Sequence, residues 1–243
     1  MNSFKNKNAV ITGGSSGLGR ALALQLLEKG AKVAIVARNP QPLKALQQEY
    51  PALLTFQADV GDKHAIHPLA AAIQSQLGDV DLLINAASSL GPTPLRYLVD
   101  TECEDLEAVL QTNLIGPFRL TKALLPGMLL KQPEQAEQAE QAKLVVNISS
   151  DAAISAYPTW GSYSVSKAAL DHLSRIFDAE LQAQGVRFLA VDPGDMDTPL
   201  HRAAVPDANP ADLRDPADSA RALLALIEAQ DFANNTDAVR RSL

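Results

Sequence analysis

Cysteine occurs once, at Cys103, so no internal disulfide can form, and no spaced cysteine or histidine partners complete a zinc set around it. A buried or idle thiol is the expectation there. Nowhere does the chain hold a run of about eighteen apolar residues, and MNSFKNKNAV passes into a strand-like segment without a signal-peptide core. These absences predict a cytoplasmic protein with no membrane partner. Positive charge is also in deficit, 28 Asp and Glu against 21 Lys and Arg for a net −7. Phosphate backbones want a basic surface, so nucleic acid is excluded as the main partner. The four histidines, His64, His67, His172 and His201, form no ligand pattern, and no metal is expected.

What is present is an ordinary globular composition, 47% hydrophobic and 20% charged over 243 residues, a length that one α/β domain commonly fills. Short apolar runs rich in β-branched residues predict strands at Ala9 to Thr12, Lys32 to Ala37, Leu53 to Phe56, Asp81 to Ile84, Leu144 to Ile148 and Val186 to Val191. Amphipathic stretches between them predict helices at 17–30, 40–50, 62–77, 102–131, 160–184 and 216–229. Strands separated by helix-length segments imply right-handed crossovers. The expected fold is a single α/β domain, a doubly wound, mostly parallel sheet of six or seven strands with helices on both faces. Ligands of such folds lie beyond the carboxyl ends of the strands.

Two local patterns fall at those ends. The first strand runs into Thr12-Gly13-Gly14-Ser15-Ser16-Gly17-Leu18-Gly19, where a helix begins at once. The G-x-G-x-x-G spacing is not met, yet glycines before a helix N-terminus suit a pyrophosphate: the backbone can approach it and free N–H groups face it. The second strand ends at Ala37 and is followed by Arg38 where an acidic residue would hold the ribose 2′-hydroxyl of NAD. An arginine can pair with the 2′-phosphate of NADP, so NADP is favoured and NAD remains open; the alternative is a solvated loop arginine.

The second pattern is a proton-handling set. Tyr163 and Lys167 stand four apart, which on a helix puts phenol and ammonium on one face. Ser150 lies thirteen residues before the tyrosine (163 − 150 = 13) and Asn113 lies upstream. Taken one at a time these could be a capping serine, a half-buried tyrosine and a solvated lysine.

The combination resembles the short-chain dehydrogenase/reductase family over roughly residues 7 to 229. Thr12 to Gly19 matches its T-G-x-x-x-G-x-G loop, Asp59-Val60 its adenine-contacting pair, and Asn113 the asparagine of its N-x-x-G stretch. Ser150, Tyr163 and Lys167 match its catalytic trio, and Pro193-Gly194 with Met196 and Thr198 match its nicotinamide loop. The resemblance implies cofactor contacts from Gly13, Ser15, Ser16, Gly17, Leu18, Gly19, Arg38, Asp59, Val60, Asn85, Ala86, Tyr163, Lys167, Pro193, Gly194, Met196 and Thr198. It also implies roles: Tyr163 as general acid and base, Ser150 orienting the substrate oxygen, Lys167 on the nicotinamide ribose, and Asn113 breaking its helix to hold a relay water. Lys167 and an oxidised nicotinamide would both favour phenolate.

Departures from the family pattern carry expectations too. Asn85-Ala86-Ala87-Ser88 replaces N-N-A-G, and the tail DFANNTDAVRRSL lacks the T-G-x-x-x-x-V-D-G-G ending, so the last sheet edge is expected to be missing or altered. Since that region builds tetramers in relatives, a homodimer through the long helices is preferred. The E-Q-A repeats, within 132–142, read as an exposed insertion. Asp195 to Pro216 reads as a substrate lid, with Tyr157 and Trp160 as pocket contacts. The implied function is NADP-preferring interconversion of a small carbonyl and an alcohol. Two rivals stand beside it: a dinucleotide-sensing regulatory protein without turnover, and a reductase of carrier-bound keto groups, which would want basic residues at the pocket mouth.

Overall fold

Strands buried on both faces cannot alternate polar with apolar residues, and these do not. In the computed structural model, which describes residues 4–129, 142–229 and 240–243, the central strands are almost wholly buried. They are β1 (Asn8–Thr12), β2 (Lys32–Ala37), β4 (Leu82–Asn85), β5 (Lys143–Ile148) and β6 (Val186–Asp192), while β3 (Leu54–Gln57) forms one edge and is only partly buried. A seventh, β7 (Arg240–Ser242), closes the order β3-β2-β1-β4-β5-β6-β7, and every pairing is parallel. The edge expected to be missing or altered is therefore altered: a three-residue strand of another sequence pairs there.

Because successive side chains leave a strand on opposite faces, the apolar runs feed two cores. Ile11, Ile35, Ile84 and Val146 point to one, covered by α1 (Gly17–Glu28), α2 (Pro40–Glu49) and α8 (Pro216–Ala229). Val10, Val36, Leu83 and Val145 point to the other, covered by α3 (Ile66–Leu77), α5 (Gly116–Leu129) and α6 (Gly161–Leu181). The helix expected over 102–131 is broken. After α4 (Cys103–Leu110) the segment Gln111–Ile115 winds as a π-helix before α5 starts at Gly116, where a Cβ would sit 2.6 Å from the Val60 carbonyl oxygen. A short α7 (Pro199–Ala204), which apolar periodicity did not reveal, lies inside the expected lid. Cys103 is exposed, so its thiol is not buried.

The E-Q-A repeats, apart from Ala142, and tail residues 231–239 fall outside the described residues. Among the described residues no helix is long and apolar enough to cross a membrane. The sheet order reverses between β1 and β4, whose last paired residues are Thr12 and Asn85. Thr12 Oγ1 accepts from the N–H groups of Ala86 and Ala87, both at 3.1 Å, which ties the two strand ends together at the switch point.

Candidate active site

At the carboxyl ends of β1, β2, β4, β5 and β6 the chain leaves a cleft of about 340 Å³, within the usual range for a small-molecule site. The glycine loop forms one wall. Gly13 has φ +68, and a Cβ there would stand 2.8 Å from the Ala87 nitrogen, while one on Gly19 would stand 2.4 Å from the Gly13 carbonyl oxygen. Both positions therefore require glycine. Ser16 caps α1 without a side-chain hydrogen bond, and no acidic residue occupies the first turn, so N–H groups and the positive helix end face the cleft. Arg38 reaches it from the end of β2, largely exposed, its Nη1 4.0 Å from Asp59 Oδ2. These features fit a dinucleotide: donors for the pyrophosphate, an unclosed arginine for a further phosphate, and apolar Val36, Ala58 and Val60 beside them.

At the far end stand Ser150, Tyr163 and Lys167. The last two share a face of α6, with Lys167 Nζ 5.4 Å from the Tyr163 ring centroid. That ammonium is buried and donates to the Ile148 carbonyl at 2.7 Å. Burial pushes Lys167 down to about 8, the Asp171 carboxylate one turn later opposing the shift. Burial likewise pushes the Tyr163 phenol up to about 12; the Ser150 and Ser88 hydroxyls pull it down, and Asp192 and Asp151 push it further up. Lys167, expected to favour phenolate, does not outweigh burial, so the phenol stays protonated at neutral pH.

Ser150 is the capping serine that one expectation described, and it stands at the cleft. Its Oγ accepts from the Ala152 N–H at 3.2 Å as a cap, and donates to Asp151 Oδ1 at 2.9 Å, at the edge of the cleft. Asp151 also accepts from the Tyr157 hydroxyl at 2.6 Å, and those two hydroxyls, with the Ala152 N–H, hold its carboxyl low despite partial burial.

All the anticipated cofactor and catalytic residues line this cleft except two. Asn85 is turned away: its Nδ2 donates to Asn147 Oδ1 at 2.8 Å, in a buried ladder that continues through Asn147 to Ser174. Asn113 is also fully buried. Its helix is interrupted as expected, but its amide is occupied by protein, accepting from the Ser89 N–H and Ser88 hydroxyl and donating to the Ser89 carbonyl and Ser166 Oγ. The side chain thus staples the loop after β4 to α6.

Sequence reasoning did not single out several neighbours. Leu90, Ala152, Leu95, Leu200 and Ala204 pack with Trp160 around Tyr163, and Trp160 meets the phenol ring edge-on at 5.7 Å between centroids. Asp171 was findable, four residues beyond Lys167. His201 faces the cleft with Nε2 3.7 Å from Asp195 Oδ1, its buried Nδ1 unpartnered among the described residues.

Comparison with known proteins agrees with this geometry. The family model described as short chain dehydrogenase matches residues 7–209. A short chain dehydrogenase of the fungus Pseudocercospora fijiensis is 34% identical over 81% of this chain, a match that spans 62% of the fungal protein. Among solved structures, a short chain dehydrogenase of Shigella flexneri complexed with NADP shares 25% identity with a TM-score of 0.83, covering 100% of this chain and 98% of that one. A 3-ketoacyl-(acyl-carrier-protein) reductase of Brucella melitensis complexed with NADH shares 25% identity with a TM-score of 0.85, over 98% of both chains. The T-G-x-x-x-G-x-G loop, the buried tyrosine and lysine on α6 and these matches have one explanation: the chain belongs to the short-chain dehydrogenase/reductase family of nicotinamide-dinucleotide-dependent oxidoreductases.

Proposed function

We propose that the protein interconverts a carbonyl and an alcohol, prefers NADP(H) over NAD(H), and uses Tyr163 as its general acid and base. The observation that carries this is the buried, protonated Tyr163 phenol beside buried Lys167, at the end of a cleft whose other end is a phosphate-fitting loop. Gly13, Ser15, Ser16, Gly17, Leu18 and Gly19 would hold the pyrophosphate, Arg38 the 2′-phosphate, Asp59 and Val60 the adenine, and Pro193, Gly194, Met196 and Thr198 the nicotinamide end. When bound, the dinucleotide supplies the hydride. The chain supplies the rest: Tyr163 gives its proton to the substrate oxygen, and Ser150 orients that oxygen and bonds the charge that develops on it. Lys167 holds a positive charge beneath the phenol and stands ready for the ribose hydroxyls.

The pocket around the phenol also bears on the substrate. Its wall is apolar, built on Leu90, Trp160, Leu200 and Ala204, and besides the Lys167 ammonium the charges lining this end of the cleft are the carboxylates of Asp151, Asp192 and Asp195. Arg96, Arg119 and Arg202 do not line the cleft, and Arg202 is held by Asp197 at 2.7 Å. An uncharged, mainly apolar ketone fits such a site better than an anionic or carrier-bound one. A homodimer, bound through the outer faces of α5 and α6, completes the proposal.

Two measurements test it. NADPH should bind more tightly than NADH in a fluorescence titration, and Arg38→Glu should reverse the order; tighter NADH binding by the native chain sinks the role given to Arg38. With NADPH and a panel of acetophenone, cyclohexanone and benzoylformate, the uncharged ketones should be reduced faster than the keto acid. Tyr163→Phe should lose roughly a hundredfold or more in kcat, the scale of a positioned acid. Equal turnover by the two proteins would remove Tyr163 from the mechanism.

A further inference from the structure

A three-residue edge strand needs only its backbone to pair, and β7 does so, with Arg240 opposite Ala190, Arg241 opposite Val191 and Ser242 opposite Asp192. The Arg240 side chain does more. Turned inward and only 15% exposed, it donates from Nε to Asp171 Oδ2 at 2.7 Å and from Nη2 to the Ser150 carbonyl at 3.0 Å, and Nη2 lies 3.9 Å from Asp192 Oδ2. Both carboxylates are buried, Asp171 at 5% and Asp192 at 8% exposure, where an unpaired negative charge is strongly disfavoured. Each also faces the catalytic set: Asp171 stands one turn beyond Lys167, and Asp192 acts on the Tyr163 phenol. A single guanidinium therefore touches the backbone of Ser150 and the two carboxylates that act on Lys167 and Tyr163.

We propose that Arg240 is a positioning residue of the catalytic set: it fixes the Ser150 backbone at the cleft and neutralises Asp171 and Asp192 beside Lys167 and Tyr163. The proposal rests on the reading of Ser150, Tyr163 and Lys167 as the groups that reduce a carbonyl. Without the guanidinium, two bare carboxylates would oppose the negative charge that gathers on the substrate oxygen. They would also hold the Lys167 proton more firmly. The charged groups facing phenol and ammonium are Lys167 and Asp171 on α6, Asp151 after β5, Asp192 at the end of β6 and Arg240 on β7.

The test compares Arg240→Met and Arg240→Lys with the native chain, using NADPH and the ketone of the panel that is reduced fastest, with Tyr163→Phe alongside. Arg240→Met should lose about tenfold or more in kcat, keep NADPH affinity in fluorescence titration within about threefold, and move the alkaline fall in rate to higher pH. Arg240→Lys, which keeps the charge, should recover most of both. A native kcat and pH profile in Arg240→Met overturns the proposal, as does a loss of kcat with an unmoved profile and no recovery in Arg240→Lys, the outcome of a purely structural role. Should Arg240→Met fail to fold, Asp171→Asn should move the alkaline fall to lower pH, and adding Arg240→Gln should move it back up; no difference between those two variants also overturns it. Native turnover by Tyr163→Phe would instead overturn the catalytic reading beneath it.

Discussion

At the scale of single residues, the opposite displacements of Tyr163 and Lys167 decide the pH behaviour. Carbonyl reduction as proposed needs the phenol protonated and the lysine charged. The phenol, raised to about 12, keeps its proton throughout the working range. Lys167, lowered to about 8, keeps its charge below that pH and loses it as pH rises through it. The alkaline fall of the reduction rate therefore belongs to the lysine. A plot of kcat/KM for NADPH, which reports groups of the free enzyme, should decline above about pH 8, and in Lys167→Arg, whose cation cannot be titrated there, the decline should vanish from whatever activity remains. A native profile flat to pH 10 would contradict this assignment.

Residue-level chemistry was legible where it was local. The four-residue spacing of Tyr163 and Lys167 becomes one helix face whatever the rest of the chain does, and the glycine loop meets α1 within eight residues. Asn85 was not legible, because its amide answers to Asn147 on a neighbouring strand and through it to Ser174 on α6, contacts that no local pattern encodes. Burial was also invisible: it reversed the expected displacement of the phenol, since desolvation depends on what packs around a group and not on its sequence neighbours.

At the scale of elements, the site depends on how α6 is held against the sheet. Asp178 near its end accepts from Arg187 Nε at 2.8 Å and Nη2 at 3.0 Å and from the Phe188 N–H at 2.8 Å, all on β6. The pair is almost wholly buried, with side-chain exposures of 4% and 2%. Removing the Asp178 carboxylate breaks this buried pair, at a cost of about 3–5 kcal/mol. Asp178→Ala should lower the melting temperature by roughly 6–20 °C for a chain of this size. The folded fraction should keep near-native kcat at 25 °C, since Asp178 lies three turns of helix from Lys167. A calorimetric midpoint within a degree of the native value would show that packing, not the ion pair, fixes α6.

Strands and long helices were legible because apolar runs and helical periodicity recur over many residues; β2 and α8 have the boundaries expected of them. Two features that apolar periodicity did not reveal share a cause. The break within 102–131 arises where Gly116 lets the backbone press on the Val60 carbonyl, and β7 exists because Arg240 to Ser242 find an open edge on β6. Both depend on partners far along the chain.

At the scale of the whole molecule, α6 bears Tyr163 and Lys167 on one side and exposes two apolar side chains on the other. Val165 and Ile176 are 49% and 43% exposed, and their separation of eleven residues (176 − 165 = 11) is close to three full turns, so they lie in one line. Ser166, Lys167 and Leu170 point inward from the same turns. Apolar residues aligned on an outer face are what a self-complementary two-fold interface uses, each copy offering the same strip. Ile176→Glu places a charge on that face in both copies at once and should convert the proposed dimer to monomer in light scattering. A monomeric native protein would sink the reading outright. If assembly steadies α6, the monomeric variant should also lose kcat when assayed dilute, because Tyr163 and Lys167 ride on the same helix; a monomer with full activity would show that the sheet alone holds the helix in register.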